Sequence, residues 1–386
     1  MKNPIYFILL LFILAGCIEP YNAKTDSIDS ILVVEGIITS GTTQITLSKS
    51  VGLEESINQG LWQLRKAVVY VECDDGAIFN GTYAPDWMGH QYMIETGELN
   101  PDKKYRLVIL LDGEEYQSNY ISPAISPPVK ASFKLDQNDL INLCVSTTGY
   151  ENQPGYYLWS YQEDWETTAT LYSDSVVIDY KTVYNDLNSS ENRYYCWKKD
   201  SSRMLILGTT EKLIENTIRE KTIQYFSCFD DRFSVLYRVK LSQNTMHKEG
   251  YDYFYNLKKN VEQTGSIFGT IPSEIMGNIK CVSNPKIPVI GYVDVSTTTY
   301  DEQYQNSDYY DPRNKGLAAT ACLMRLDTFD IKDPQPRPGS GSVIYAHEYG
   351  WMGIIISNIY ISDNCVDCTK YGGTKRKPKN WPNNHQ

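Results

Sequence analysis

The sequence predicts a mainly β protein, on the basis of two observations. The chain carries 31 tyrosines beside many valines, isoleucines and threonines, and such aromatic and β-branched residues fit the pleated, half-buried surface of a strand. From Ile31 onward, short runs of these residues alternate with Gly, Pro, Asn and Asp, which is typical of the strands of a β-sandwich. With 386 residues, the chain is longer than one hydrophobic core usually serves, so two domains are expected.

Residues 1–16 have the layout of a secretory signal peptide. Lys2 supplies the positive start, Ile5–Leu14 is apolar, and small residues precede Cys17. The apolar stretch is too short to cross about 30 Å of hydrocarbon as a helix. The sequence Leu-Ala-Gly-Cys that ends at Cys17 resembles the bacterial lipobox, which implies a diacylglycerol and a further acyl chain on that cysteine. We therefore expect a lipid anchor in the outer membrane and no other cofactor.

Residues 17–30 are polar and show no periodicity, so they are predicted to be a lipidated tether. The tether contains Glu19 just after the anchoring cysteine. Acidic residues at this place resemble the surface-export signal of lipoproteins from the Bacteroidota. This resemblance favours the cell surface over the periplasmic face.

Residues 31–122 are predicted to form an immunoglobulin-like or transthyretin-like β-sandwich. Its clearest hairpin is expected at Asp112-Gly113, which separates LVILL from EEYQS, because a tight type I′ turn needs positive φ angles that Gly tolerates. The six predicted strands are ILVVEGIIT, TTQITLSKS, KAVVYVEC, Tyr92–Glu95, KYRLVILLDG and EEYQSNYI.

A proline-rich linker at 123–130 is predicted to end this domain, since prolines stiffen the chain and interrupt a strand ladder. A larger β-rich domain is expected over 131–364, with one prominent helix at about 246–264. The helix is indicated by Tyr251, Phe254, Leu257 and Val261, which recur at helical spacing. It is expected to pack on the second domain's sheet.

The charge balance argues against nucleic acid as a partner. The chain has 36 Lys and Arg against 47 Asp and Glu, and phosphate binding needs clustered cations. The short run Lys375-Arg376-Lys377 lies in the predicted C-terminal tail, 365–386. We interpret this run as a solvated end.

Cysteine usage predicts disulfide bonds. Nine cysteines include Cys17, so an even number remains for pairing outside the cytoplasm. Cys365 and Cys368 have the spacing of a redox pair or of half a zinc site. A zinc site needs two more ligands, and the helix that would activate a redox thiol is not indicated. Structural disulfides are therefore favoured, either between these two cysteines or from each to an upstream partner.

No catalytic, metal or cofactor-binding residue can be named from the sequence. His347-Glu348 is not followed by the second histidine of a zinc-peptidase motif, because Trp351 stands at that position. Pairs of carboxylates that could serve a glycosidase are inevitable among 47 acidic residues. The chain is therefore expected not to be an enzyme.

An interaction surface is predicted in the tyrosine-rich loop between Tyr292 and Asn314. Its tyrosines alternate with carboxylates, and rigid aromatic side chains often anchor protein interfaces or stack on sugar rings. The alternatives are an exposed hairpin rim without a partner and a Ca²⁺ site formed by the carboxylates. The candidate interface residues are Tyr300, Tyr304, Tyr309 and Tyr310.

Several segments together resemble the domain-of-unknown-function 4249 family of Bacteroidota outer-membrane lipoproteins. They are the lipobox, VVEGIIT in the first domain, NPKIPVIGYVDVS after the helix, and the end with Cys365, Cys368, Gly372-Gly373-Thr374 and Trp381. The likeness covers essentially the whole mature chain. Genes of this family lie beside those of TonB-dependent outer-membrane transporters, which implies an accessory lipoprotein and supplies no catalytic residue.

The expected function is therefore that of a non-enzymatic accessory or lid-like partner of a TonB-dependent transporter in nutrient uptake. Three alternatives stay open. One is a subunit of an outer-membrane protein assembly complex, and another is a surface lipoprotein that binds glycans or peptides alone. The third is an unrecognised hydrolase.

Overall fold

The computed structural model describes residues 31–50, 64–84, 90–150, 153–187, 189, 192–263 and 277–382. The predicted signal peptide, Cys17 and the tether lie outside these residues. Within them the prediction of a mainly β fold is confirmed, since strands far outnumber helices. None of the described helices is both long and apolar enough to cross a membrane.

The strands are, in chain order, β1 Leu32–Thr39, β2 Gly41–Lys49, β3 Val68–Cys73, β4 Ile78–Tyr83, β5 His90–Gly97, β6 Tyr105–Leu111, β7 Glu114–Ser118, β8 Val129–Leu135, β9 Leu140–Thr148, β10 Tyr156–Thr168, β11 Ser175–Ile178, β12 Lys181–Tyr184, β13 Tyr195–Ser201, β14 Ile206–Thr209, β15 Thr217–Ser227, β16 Leu236–Thr245, β17 Ile279–Cys281, β18 Val289–Gly291, β19 Asp294–Ser296, β20 Thr298–Asn306, β21 Asp327–Asp330, β22 Ser342–Tyr349 and β23 Ile355–Ser362. The α-helices are α1 Lys248–Gln263 and α2 Arg313–Leu323. Short 3₁₀ helices span Asp231–Phe233, Ser307–Tyr309, Trp351–Gly353, Asp363–Cys365 and Cys368–Tyr371.

The N-terminal strands form one strongly curved sheet around a core. The strand order is β17-β7-β6-β3-β4-β5-β2-β1-β18, and β19 also pairs with β1. Strand β4 was not among the strands predicted from the sequence. Alternation places Val34, Ile38, Ile45 and Leu47 on the buried face of β1 and β2. The predicted hairpin at Asp112-Gly113 is confirmed, with positive φ angles of 55° and 85°.

The chain returns to this sheet late, which alters the predicted domain division. Residues 279–296, which were predicted to belong to the second domain, instead supply three strands of the first sheet. Strand β17 pairs antiparallel with β7, while β18 and β19 pair parallel with β1. The parallel strands come from a distant part of the chain, so each needs the long crossover that the second domain provides.

The second domain is a sandwich of two sheets. One sheet has the order β13-β10-β16-β20, with β14 also on β10, and the other has the order β15-β9-β8. Aromatic side chains fill the space between them, including the fully buried Trp159, Phe233 and Tyr237. Their large apolar area contributes to the driving force that holds the two sheets together.

The proline-rich linker is held firmly between the domains. The Ser126 hydroxyl accepts a hydrogen bond from the Thr245 amide at 2.7 Å and donates to the Thr297 carbonyl at 2.6 Å. The Gln243 side chain donates to the Pro127 carbonyl at 2.8 Å and is itself fully buried. These bonds join the linker to β16 and to the start of β20.

Helix α1 packs against both domains and not only against the second. Its buried Tyr253 and Phe254 share a cluster with Tyr292 from the first sheet's side and Tyr156 from β10. The helix begins two residues later than the predicted 246. The predicted stop at Gly265 lies outside the described residues. The sequence indicated one prominent helix, and α2 is a second.

Candidate interaction surface

The C-terminal part of the chain forms a small lobe fixed by two disulfide bonds. Its sheet has the order β21-β23-β22, and α2 lies beside β23. Cys365 is bonded to Cys322 at the end of α2, and Cys368 is bonded to Cys196 in β13. Of the two arrangements left open by the sequence, the bonds to upstream partners are therefore present and a bond between Cys365 and Cys368 is not.

The chain after Cys368 is also fixed. The Trp197 and Thr374 backbones exchange hydrogen bonds of 2.9 and 2.8 Å. The Trp381 indole donates to the buried Glu166 carboxylate at 3.0 Å. Lys375 is half-buried and donates to the carbonyl of Tyr195, so the interpretation of this basic run as a solvated end is wrong for Lys375.

The predicted tyrosine-rich loop is largely a strand, β20, at the edge of the second domain's larger sheet. Tyr300 and Tyr304 lie on its exposed face. The Lys240 ammonium lies 4.9 Å from the centre of the Tyr300 ring, and the Tyr304 hydroxyl donates to Glu302 at 2.9 Å. These two residues are available to a partner, as the predicted interface requires.

Tyr309 and Tyr310 do not belong to the same surface. Both are half-buried against the core of the second domain. The Tyr310 hydroxyl lies 3.4 Å from the Asp231 carboxylate. Burial, together with this carboxylate, raises the pKa of Tyr310 to about 12. The four predicted interface residues therefore divide into an exposed pair and a core pair.

Helix α2 is an unusual surface feature of the lobe and was not predicted from the sequence. Residues from Gly316 to Met324 carry no charge, yet no residue of the helix is fully buried. Lys315, Ala319 and Cys322 are partly buried. Leu317 is 69% exposed and Met324, which caps the helix, is 80% exposed. A helix with an apolar composition normally buries one face. The sequence feature that could have indicated this helix is the uncharged run GLAATACLM.

The helix is nevertheless held in place at both ends. At its start, the Arg313 guanidinium pairs with Asp311 at 2.7 Å and the Lys315 ammonium donates to the Thr168 hydroxyl. Burial lowers the pKa of Lys315. At its end, the disulfide bond ties Cys322 to Cys365. An exposed apolar helix is therefore presented on a fixed support.

A second apolar feature is the connection between β22 and β23, which we call the apolar tip and define as residues Tyr349–Ile356. Trp351 is 89% exposed, Met352 78% and Ile354 65%. The turn is closed by a 2.7 Å hydrogen bond from the Gly350 amide to the Ile354 carbonyl. This feature was not predicted from the sequence either, although the tip contains no charged residue.

A polar cleft lies in the second domain and contains a buried carboxylate. The cleft measures about 490 Å³ and is lined by Glu163, Arg232 and Lys258 among others. One Glu163 oxygen accepts from Arg232 at 2.9 Å and the other accepts from the Tyr237 hydroxyl at 2.5 Å. Burial raises the pKa of Glu163. With both oxygens engaged by neighbours in the fold, this carboxylate supports the core.

No group of three or more potential ligands that could hold a metal ion occurs among residues 31–382 in the segments that the structure describes. Cys73, Cys144, Cys228 and Cys281 are free and buried. Burial raises the pKa of the Cys73 and Cys228 thiols, which makes them weaker nucleophiles.

Comparison with known proteins gives one family. The family model described as "Domain of unknown function (DUF4249)" matches residues 18–302. The sequence matches no curated protein.

Solved structures show only weak similarity. A cytokine receptor complex is 9% identical with a TM-score of 0.17, covering 55% of this chain and 84% of the other. A DUF4785 family protein from Legionella pneumophila is also 9% identical with a TM-score of 0.17, covering 55% of this chain and 52% of the other. TM-scores this low support no inference about fold or function.

Proposed function

The chain belongs to the DUF4249 family, and on this premise we propose that it is an outer-membrane lipoprotein anchored by acyl chains on Cys17. In this proposal it serves as a non-enzymatic accessory partner of a TonB-dependent transporter in nutrient uptake. The observation that carries the proposal is the exposed apolar helix α2 on its disulfide-fixed lobe.

An exposed apolar helix favours a protein partner for two reasons. Leaving Leu317 and Met324 in water forgoes the gain from burying them, so a surface that keeps them exposed is usually an interaction site. The other residues of the run from Gly316 to Met324 are mostly small. Small side chains allow the backbone of a neighbouring element to come close.

The support beneath the helix also suits binding. Because Cys322 and the residues at the helix start are fixed, the surface loses little conformational freedom when a partner covers it. A preorganised surface of this kind binds more tightly for the same buried area. Tyr300 and Tyr304 on β20 offer a further exposed aromatic contact in the same chain.

The test is a pull-down of the full-length protein from its own membranes in mild detergent, followed by mass spectrometry. We expect a TonB-dependent barrel in stoichiometric amount. The double variant L317E/M324E places two charges on α2 and should lower barrel recovery by about tenfold, the effect of losing an interface anchor.

The matched control is I214E, because Ile214 is fully exposed and lies outside the lobe. Barrel recovery should be unchanged in this variant. Recovery of assembly machinery in place of the transporter, or recovery of the protein alone, would contradict the proposal. Equal loss in the two variants would show that α2 is not the contact.

A further inference from the structure

The apolar tip has the composition of a membrane-contacting loop. From Tyr349 to Ile356 it contains no charged side chain, and Trp351, Met352 and Ile354 are largely exposed to water. Tyr and Trp are the residues that favour the boundary between headgroups and hydrocarbon, because each ring is apolar and carries one polar group.

The backbone of the tip is built to project these side chains. Met352 has φ 67°, a left-handed conformation that bulky residues rarely adopt. The turn is closed by bonds from the Gly350 amide to Ile354 and from the Gly353 amide to Gly350. These bonds fix the turn, and Trp351 is 89% exposed in it.

Polar residues flank the apolar tip on both sides. His347 and Glu348 precede the tip, and Ser357 and Asn358 follow it. The His347 ring is fixed by Asn358 at 2.7 Å. The charge of Glu348 is costly to move into hydrocarbon, so only the end of the hairpin fits into a bilayer.

We propose that the apolar tip inserts into the lipid of the membrane to which the protein is anchored. This inference rests on the proposed lipid anchor at Cys17. The tether of residues 17–30 can span at most roughly 50 Å when extended, which keeps the described domains within reach of the bilayer. A protein partner would need a concave site to receive the tip, whereas lipid hydrocarbon can surround its apolar side chains without a matching cavity.

The tip supplies a second contact beside the acyl chains. Its few side chains are too small a hydrophobic area to hold the protein alone, as is true of a single acyl chain. Together with the anchor, they restrict rotation of the protein about Cys17. The lobe that carries α2 then meets its partner in a fixed orientation.

The test measures whether Trp351 lies in lipid. Full-length protein is mixed with vesicles of phosphatidylethanolamine and phosphatidylglycerol, with or without dibrominated phosphatidylcholine, and the floating fraction is collected. The emission of Trp351 is obtained as the difference between the wild-type protein and W351F. We expect brominated lipid to quench most of this emission, at low and at high salt, because the tip carries no charge.

The matched control is the double variant W351F/I214W, which moves an exposed tryptophan away from the tip. The emission of the indole introduced in place of Ile214 should not be quenched. Floating protein with unquenched Trp351 would overturn the proposal while leaving the anchor intact. Protein that does not float would overturn both the tip and the anchor. Because no transporter is present, failure of the transporter pull-down does not affect this result.

Discussion

The Asn278 side chain closes the N-terminal sheet, because it pairs with the Val293 backbone through two hydrogen bonds, as a neighbouring strand would. Its amide nitrogen donates to the Val293 carbonyl at 2.8 Å, and its carbonyl oxygen accepts from the Val293 amide at 2.9 Å. Both residues are buried. The pair joins the segment just before β17 to the segment just before β19, so the two ends of the sheet meet.

Substitution of Asn278 by Ala should destabilise the protein by about 2–4 kcal/mol, because it leaves two buried backbone groups without partners at ~1–3 kcal/mol each. Urea unfolding measures the change. Asn284→Ala is the control, since that side chain accepts a bond only in a half-exposed turn. An equal loss in the free energy of unfolding for the two substitutions would show that the hydrogen bonds between Asn278 and Val293 do not stabilise the sheet as expected.

His247 and Asp294 make stability depend on pH. The imidazole of His247, just before α1, lies 2.7 Å from the fully buried carboxylate of Asp294 in β19. This hydrogen bond and the charges of Asp294 and Glu249 raise the pKa of His247 above its ordinary value of about 6.5, against the opposing effect of burial. A raised pKa means that the folded state binds the proton more tightly than the unfolded state.

The stabilisation that protonated His247 gains from Asp294 is therefore fully present below about pH 6.5. It is lost as pH rises through the pKa of His247 in the folded state. The difference in melting temperature between wild type and His247→Gln should shrink from pH 6 toward alkaline pH. Melting curves at a series of pH values test this. A difference that stays constant, or grows with pH, would contradict the assigned pKa direction.

Disulfide loss should loosen the C-terminal lobe. The double variant C322A/C365A removes a bond across 43 residues and should cost about 2–4 kcal/mol. Limited proteolysis should then cut near α2 faster than in the wild type. Peptide mapping without reductant should find Cys196–Cys368 and Cys322–Cys365 linked, with Cys73, Cys144, Cys228 and Cys281 alkylated only after denaturation. A Cys365–Cys368 peptide would contradict this pairing.

Local patterns predicted much of the fold where neighbours in sequence are neighbours in space. The hairpin at Asp112-Gly113 and the helix near 246–264 carry their own turn and periodicity signals. Strands β17, β18 and β19 have only three residues each. Such segments are too short to show an alternation of apolar and polar residues. Their pairing partners lie about 160 residues or more away in β7 and more than 240 residues away in β1. Their place in the first sheet was therefore not predictable.

The candidate surface was predicted only in part for similar reasons. Tyr300 and Tyr304 share a face because both lie in β20 with period two. The 3₁₀ turn at Ser307–Tyr309 breaks that period and directs Tyr309 and Tyr310 toward the core. The run GLAATACLM could equally be a buried element, since composition alone does not tell whether an apolar helix is covered.

Gly373 provides a last prediction, because it lies directly against the Cys196–Cys368 bond. A Cβ added there would meet the Cys196 Cβ at 2.6 Å, its sulfur at 2.9 Å and the Cys368 carbonyl at 2.8 Å. Gly373→Ala should therefore cost about 1–3 kcal/mol by overpacking and lower the yield of this disulfide in peptide mapping. Gly372→Ala is the matched control: Gly372 has φ +78° and open space around it, so only backbone strain of about 1 kcal/mol is expected and the bond should form. Full disulfide yield in both variants, with Gly373→Ala no less stable than Gly372→Ala, would contradict this prediction. It would show that the disulfide bond does not require a glycine at position 373.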